Sequence, residues 1–295
     1  MMELGLYNSC FLDWDLEKTF RWMEKHKLHY AELHGGPRYP FIDWSEVAHG
    51  RTMDLLKSAE QHGIEIVDIM YGALNFLHPD DVVKEEAVAY AKILLDAAHL
   101  IGAKSVSVFT GRDPNLNLEG NFQKLQATLP PLVEYAETKK VKLLFENCPM
   151  YHEWPPHYNI AISPYMWNLI LEYFNSPYIG INLDPSHLVW QGIDYLSSIK
   201  SLGTRLGLAQ AKDTQVLPHI QRTHGVLSAD FWRHRIAGFG DVDWGRFIPE
   251  LMDNQYAEAL FIEHEDPYYA GNIEAIERGV ALTIQNLSPF LEGID

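Results

Sequence analysis

Eight short apolar segments, each followed by a stretch of helical character, constrain this chain more than any other feature. The segments fall at residues 4–8, 30–34, 64–70, 105–109, 141–146, 181–184, 206–212 and 259–264. Apolar residues three and four apart mark helices at 16–26, 53–61, 83–100, 121–139, 164–174, 194–202, 247–254 and 273–287. The punctuation agrees. Gly63 and Gly102 follow helical stretches as C′ residues, Asp80 or Asp81 can cap the long helix, and Ser163-Pro164 supplies a cap followed by proline at the first helical position. Pro130-Pro131 must kink or restart the 121–139 helix, because proline has no N–H to give. Strand–helix alternation implies a parallel sheet covered by helices, and eight strands is the number that closes a (β/α)8 TIM barrel. A doubly wound open sheet would bring a glycine-rich first turn. None follows residues 4–8, and Gly238-Phe239-Gly240 is expected to follow no strand. With no linker or low-complexity segment, residues 1–295 read as a single α/β domain.

Charge narrows the partners. The net charge of −17 repels a phosphodiester backbone, so nucleic acid is disfavoured. No run approaches the length of apolar chain that a membrane span needs, and M-M-E-L-G-L-Y lacks the basic and apolar regions of a signal peptide. Cys10 and Cys148 lie far apart with no C-x-x-C pattern, which fits a reducing compartment and two buried, inert thiols. The expectation is a cytoplasmic protein acting on a small molecule, with a homo-oligomer left open.

A barrel carries its site at the C-terminal ends of its strands. The fifth segment ends in Glu146. The sixth ends at Asp184, where Pro185 stops the strand and His187 follows three residues on. Taken alone, Asp184 serves equally well as a turn cap. The seventh segment offers Gln210 and Lys212 on one face, the eighth offers Glu263, and the second offers Glu32 and His34. Neighbouring strands lie about 5 Å apart, so Glu146, Asp184, Gln210 and Glu263 can converge. Three crowded carboxylates repel and force protons onto one another unless a divalent cation relieves them. The long connection 214–241 is expected to lie over this face as an ordered lid, given Phe231, Trp232 and Phe239. Trp14, Trp190 and Trp232 could pack on a sugar face, although aromatics more commonly serve a core. His152-Glu153…His157 is one residue too long for the zinc-protease H-E-x-x-H motif, and Pro155-Pro156 breaks the helix it needs.

The stretches F-E-N-C-P-M, I-N-L-D-P-S-H-L-V-W-Q-G-I-D, A-K-D-T, W-R-H-R…G-F-G-D-V-D-W and F-I-E-H-E-D resemble the xylose-isomerase-like barrel superfamily, often described as sugar phosphate isomerases/epimerases. N-F-L-H-P is similar to its Asn-containing loop, and the resemblance covers nearly the whole chain. It implies a divalent metal held by Glu146, Asp184, position 210 and Glu263, with Glu146 and Glu263 also acting as bases. The family usually has His before x-K-D, whereas this chain has Gln210, as hydroxypyruvate-isomerase-like members do. An all-oxygen set favours Mn2+ or Mg2+, with Co2+ or Zn2+ as alternatives. His187 is then expected to contact substrate oxygens, Lys212 and Arg235 to bind an anionic group or hold the lid, and His34, Asn75 and His78 to shape the pocket. The implied activity is a sugar isomerase or epimerase working through an ene-diolate. The rivals are a lyase or dehydratase on a keto-sugar, keto-glycoside or inosose; an endonuclease IV-like repair enzyme, which a −17 charge and Gln210 disfavour; and a barrel that only binds sugar.

Overall fold

The computed structural model describes residues 2–150 and 158–291, and among them the expected barrel closes. The barrel strands are β1 (Leu4–Tyr7), β2 (Tyr30–His34), β3 (Glu65–Tyr71), β4 (Ser105–Val108), β5 (Lys142–Glu146), β6 (Ile179–Leu183), β7 (Leu206–Ala211) and β10 (Leu260–Ile262). Each pairs in parallel with its neighbours, and β10 returns between β7 and β1. β8 (Asp213–Val216) and β9 (Trp232–Arg235) form a separate antiparallel hairpin.

The helices follow their sequence signals. In α1 (Leu16–Lys25), Leu16, Phe20 and Met23 make a buried stripe at helical spacing, each worth about 1.5–3 kcal/mol on burial. Asp15 caps it by accepting from the Lys18 N–H at 2.8 Å. α2 (Trp44–Ala48) was not expected; Asp43 starts it by accepting from the Ser45 and Glu46 amides. α3 (Met53–Gln61) and α4 (Asp81–Ile101) follow, the latter capped by Asp80 and closed by left-handed Gly102. The double proline restarts rather than kinks its helix, giving α5 (Leu118–Thr128) and α6 (Pro130–Lys139). α7 (Pro164–Phe174), α8 (Pro185–Val189), α9 (Tyr195–Leu202), α10 (Pro218–His224), α11 (Trp244–Asp253) and α12 (Ile273–Leu291) complete the layer. Among the described residues, no helix is long and apolar enough to cross a membrane.

His62 ties α1 to the end of α3. Its ring lies 2.7 Å from Glu24 and 3.0 Å from Glu17, and the bond to Glu24 raises its pKa above the ordinary 6.5. A raised histidine pKa stabilises the fold fully below the unfolded value, and the contribution fades as pH rises through the folded one. His62→Gln is therefore expected to lower the urea midpoint at about pH 5 and to leave it nearly unchanged at about pH 9. Equal shifts at both would remove the charge from the account.

Inside the barrel the layers differ in character. Val67, Leu144, Leu208, Ala259 and Phe261 fill the lower end. Above them lies a polar tier of Glu32, Asp68, Ser107 and Asn182, all fully buried, together with the near-buried Ser105. Asn182 donates to Glu32 at 2.9 Å and to Ser107 at 3.1 Å, and Ser105 donates to Asp68 at 2.5 Å. Burial pushes the Asp68 carboxyl up to about 6 and Glu32 well above the carboxylate range.

Candidate metal centre and its lid

The strand tips converge. Glu146 ends β5, Asp184 follows β6 and Glu263 follows β10, and each offers an oxygen within 4.8 Å of the others. Asp184 caps the next turn and keeps a second oxygen turned into the site. One oxygen accepts from the Ser186 amide at 2.8 Å and caps α8, while the other faces His187 at 3.1 Å and Lys212 at 3.0 Å. Two asparagines fix the tips. Asn147 accepts from the Asp184 N–H at 2.7 Å and donates to its carbonyl at 2.9 Å. Asn159 donates to the Glu146 carbonyl at 2.8 Å and accepts from the Thr110 hydroxyl at 2.7 Å.

The electrostatics are those of a crowded acidic site. Burial pushes the Glu263 carboxyl up to about 8 against the pull of Lys212, and burial together with Glu263 raises Glu146 well above the usual range. Lys212 is only 1% exposed, and its ammonium lies 2.9 Å from Glu263 and 3.0 Å from Glu265 as well as against Asp184. Burial disfavours its charge, but these three carboxylates outweigh that and hold its pKa well above the ordinary value. Lys212 in turn holds Glu265 below the usual range.

Gln210 is fully buried on β7, two residues before Lys212, which follows that strand. Its amide nitrogen lies 3.4 Å from Glu32, and its carbonyl oxygen has no hydrogen-bond partner among the described residues. That free acceptor and three crowded carboxylates suit a divalent cation, because one ammonium cannot neutralise them all. His187 is 2% exposed, and burial drives its pKa well below the ordinary value, so the imidazole is neutral. Its ring stands edge-on to His234. Glu146, Cys148 and His187 form a second close group within 4.8 Å. Cys148 is half-buried rather than enclosed, and burial raises its thiol well above the ordinary value.

The other expected pocket residues are engaged with protein groups. Arg235 binds Asp266 at 2.9 Å and lies over Tyr268, bracing the hairpin. His34 meets the Tyr7 hydroxyl at 3.2 Å. Asn75 bridges two loops through the Leu77 and Arg112 amides, and His78 accepts from the Asp80 amide. Trp14 stacks on Phe11 in the core, whereas Trp190 stacks on Trp232 at 5.0 Å beneath the lid. His152-Glu153…His157 lies outside the described residues.

The 214–241 connection holds most of β8 together with α10 and β9, and one buried carboxylate braces it. Asp213 accepts from the amides of Thr214 and Val242 on one oxygen, and from the amides of Gly238 and Gly240 and the Trp244 indole on the other. Gly238-Phe239-Gly240 does follow a strand, β9, contrary to the sequence reading. Its glycines admit the backbone to Asp213: a Cβ on Gly240 would collide with that carboxylate and with the Thr214 carbonyl. Gly240→Ala is expected to destabilise by about 2 kcal/mol or more, read by urea unfolding. A neutral result would mean that the turn relaxes at little cost.

Beside His187 and Glu265, under the hairpin, is a cavity of about 340 Å³, lined also by Cys148, Met150, Trp232 and His234 among others. Larger hollows of about 540 and 500 Å³ lie between helices and at the opposite mouth of the barrel, away from the converging carboxylates.

The model of the xylose isomerase-like TIM barrel family matches residues 20–286. This chain belongs to that family. Over 100 residues it is 28% identical to the uncharacterized protein YfiH of Bacillus subtilis (strain 168), a match spanning 30% of this chain and 32% of that relative. Among solved structures it resembles the IolI protein, determined with a bound zinc atom, at 19% identity and a TM-score of 0.73, with 98% of this chain and 99% of that one covered. D-psicose 3-epimerase from Clostridium cellulolyticum H10, solved with D-tagatose, matches at 15% identity and a TM-score of 0.74, covering 99% and 100%. At such identities the likeness concerns the fold.

Proposed function

We propose that this chain is a divalent-metal-dependent sugar isomerase or epimerase that moves a proton beside a carbonyl. The observation that carries the reading is the convergence of Glu146, Asp184 and Glu263, from three separate strand ends, within 4.8 Å at the mouth beneath the lid. These three carboxylates, with the Gln210 carbonyl, would hold the ion. The oxygen-only donors favour Mn2+ or Mg2+ over Zn2+. When bound, the ion supplies Lewis-acid stabilisation of negative charge developing on substrate oxygens.

The protein groups supply the rest. Glu146 and Glu263 sit on non-adjacent strands, so their carboxylates can take a proton from one face of a bound sugar and return it from another. Return to the opposite face of the same carbon gives an epimer; return to the neighbouring carbon gives an isomer. His187, neutral and lining the cavity, can donate or accept a hydrogen bond at a sugar hydroxyl. Trp232 and Met150 give that cavity an apolar wall suited to a sugar's C–H face. The reading is tested by incubating the protein and Mn2+ with ketoses and keto-glycosides in deuterated water. The expected result is deuterium at the carbon beside the carbonyl, together with an isomer or epimer. A panel that exchanges no C–H proton, with Mn2+ shown to be bound, would refute it.

A further inference from the structure

We infer that Lys212 is a built-in competitor for the divalent cation, and that Glu265 is the anchor that draws it aside. This rests on the metal reading above. The ammonium contacts two of the three carboxylates that would hold the ion, at 3.0 Å from Asp184 and 2.9 Å from Glu263. Its third contact, Glu265 at 3.0 Å, lies outside the ligand set. With 1% exposure, the side chain keeps its charge inside the site.

Two cations drawn to the same oxygens repel each other, and in a buried site the repulsion is weakly screened. Lys212 therefore relieves the repulsion among the carboxylates before loading and opposes the ion during it. Its flexible stem can swing, and the natural resting place is Glu265, whose side chain lines the cavity, is 46% exposed and also faces His234 at 3.5 Å. Arg235 does not share this role, because its guanidinium is committed to Asp266.

Mn2+ affinity is the direct readout, measured by chelator competition on the full chain and on Lys212→Met, Glu265→Gln and the double variant. Lys212→Met is expected to bind Mn2+ about tenfold tighter or more, and Glu265→Gln about tenfold more weakly. In the Lys212→Met background, Glu265→Gln is expected to change affinity far less, since the anchor then has nothing to hold. Lys212→Gln takes the place of Lys212→Met if the latter does not fold. An ammonium that instead orients the oxygens of Asp184 and Glu263 for the ion would give the opposite sign at Lys212. Wild type that binds Mn2+ beside a Lys212 variant binding no tighter overturns this inference and leaves the metal reading intact. Wild type and variants that all bind no divalent cation overturn the metal reading itself, and this inference with it.

Discussion

Glu146→Gln is expected to lower turnover at least ~100-fold at saturating Mn2+ on whichever sugar the wild type accepts. The substitution keeps the shape of the side chain, and Asn159 still holds the Glu146 backbone carbonyl, so the tip stays in place. What is lost is an acceptor for the proton and one of three negative charges around the ion. These losses separate experimentally. Weaker metal binding is overcome by added Mn2+, whereas the missing base is not, so kcat stays low at saturation. Asp184→Asn is the useful contrast. The amide oxygen can still cap α8 through Ser186, the charge at the site is gone, and the deficit should yield in large part to added metal. Turnover by Glu146→Gln within a few-fold of wild type would take Glu146 out of the proton transfer.

Asp213→Ala is expected to cost at least about 4 kcal/mol of unfolding free energy, among the largest single effects in the molecule. Four backbone amides and the Trp244 indole point at this carboxylate, and truncation leaves them without an acceptor. Asp213→Asn should lose most of the same amount. Either orientation of its amide sets an NH2 against two or three inward-pointing N–H groups, because both carboxylate oxygens receive donors. The urea midpoint measures both variants. An Asp213→Asn protein as stable as wild type would mean that the lid is held by its aromatic packing.

The barrel was legible because strand–helix alternation survives in the sequence even where period-2 patterning does not. β6 is buried along its whole length, as parallel strands are, and its buried Asn182 looks like an exposed face until Glu32 and Ser107 are seen opposite. The acidic tips were legible too, since position at the end of a strand depends only on the local pattern. Partnership was not. Nothing near Lys212 in the chain says that it turns inward to Glu263 and Glu265 rather than outward to a substrate anion. Asn147, Asn159 and Asp213 bond across loops far apart in sequence, and the β8–β9 hairpin carries no turn signal because its strands pair across the intervening α10. The A-K-D-T and G-F-G-D-V-D-W stretches, noticed separately, are the two halves of one clamp.

The polar tier beneath the centre has a consequence for transplantation. Gln210 rests on Glu32, Glu32 on Asn182, and Asn182 on Ser107, so the orientation of a residue at the mouth is inherited from the middle of the barrel. Grafting the three acidic tips and Gln210 onto another eight-stranded scaffold with a purely aliphatic lumen would copy the proposed ligands and omit their foundation. Such a graft should hold its ion loosely and with poor discrimination, however faithfully the rim is reproduced.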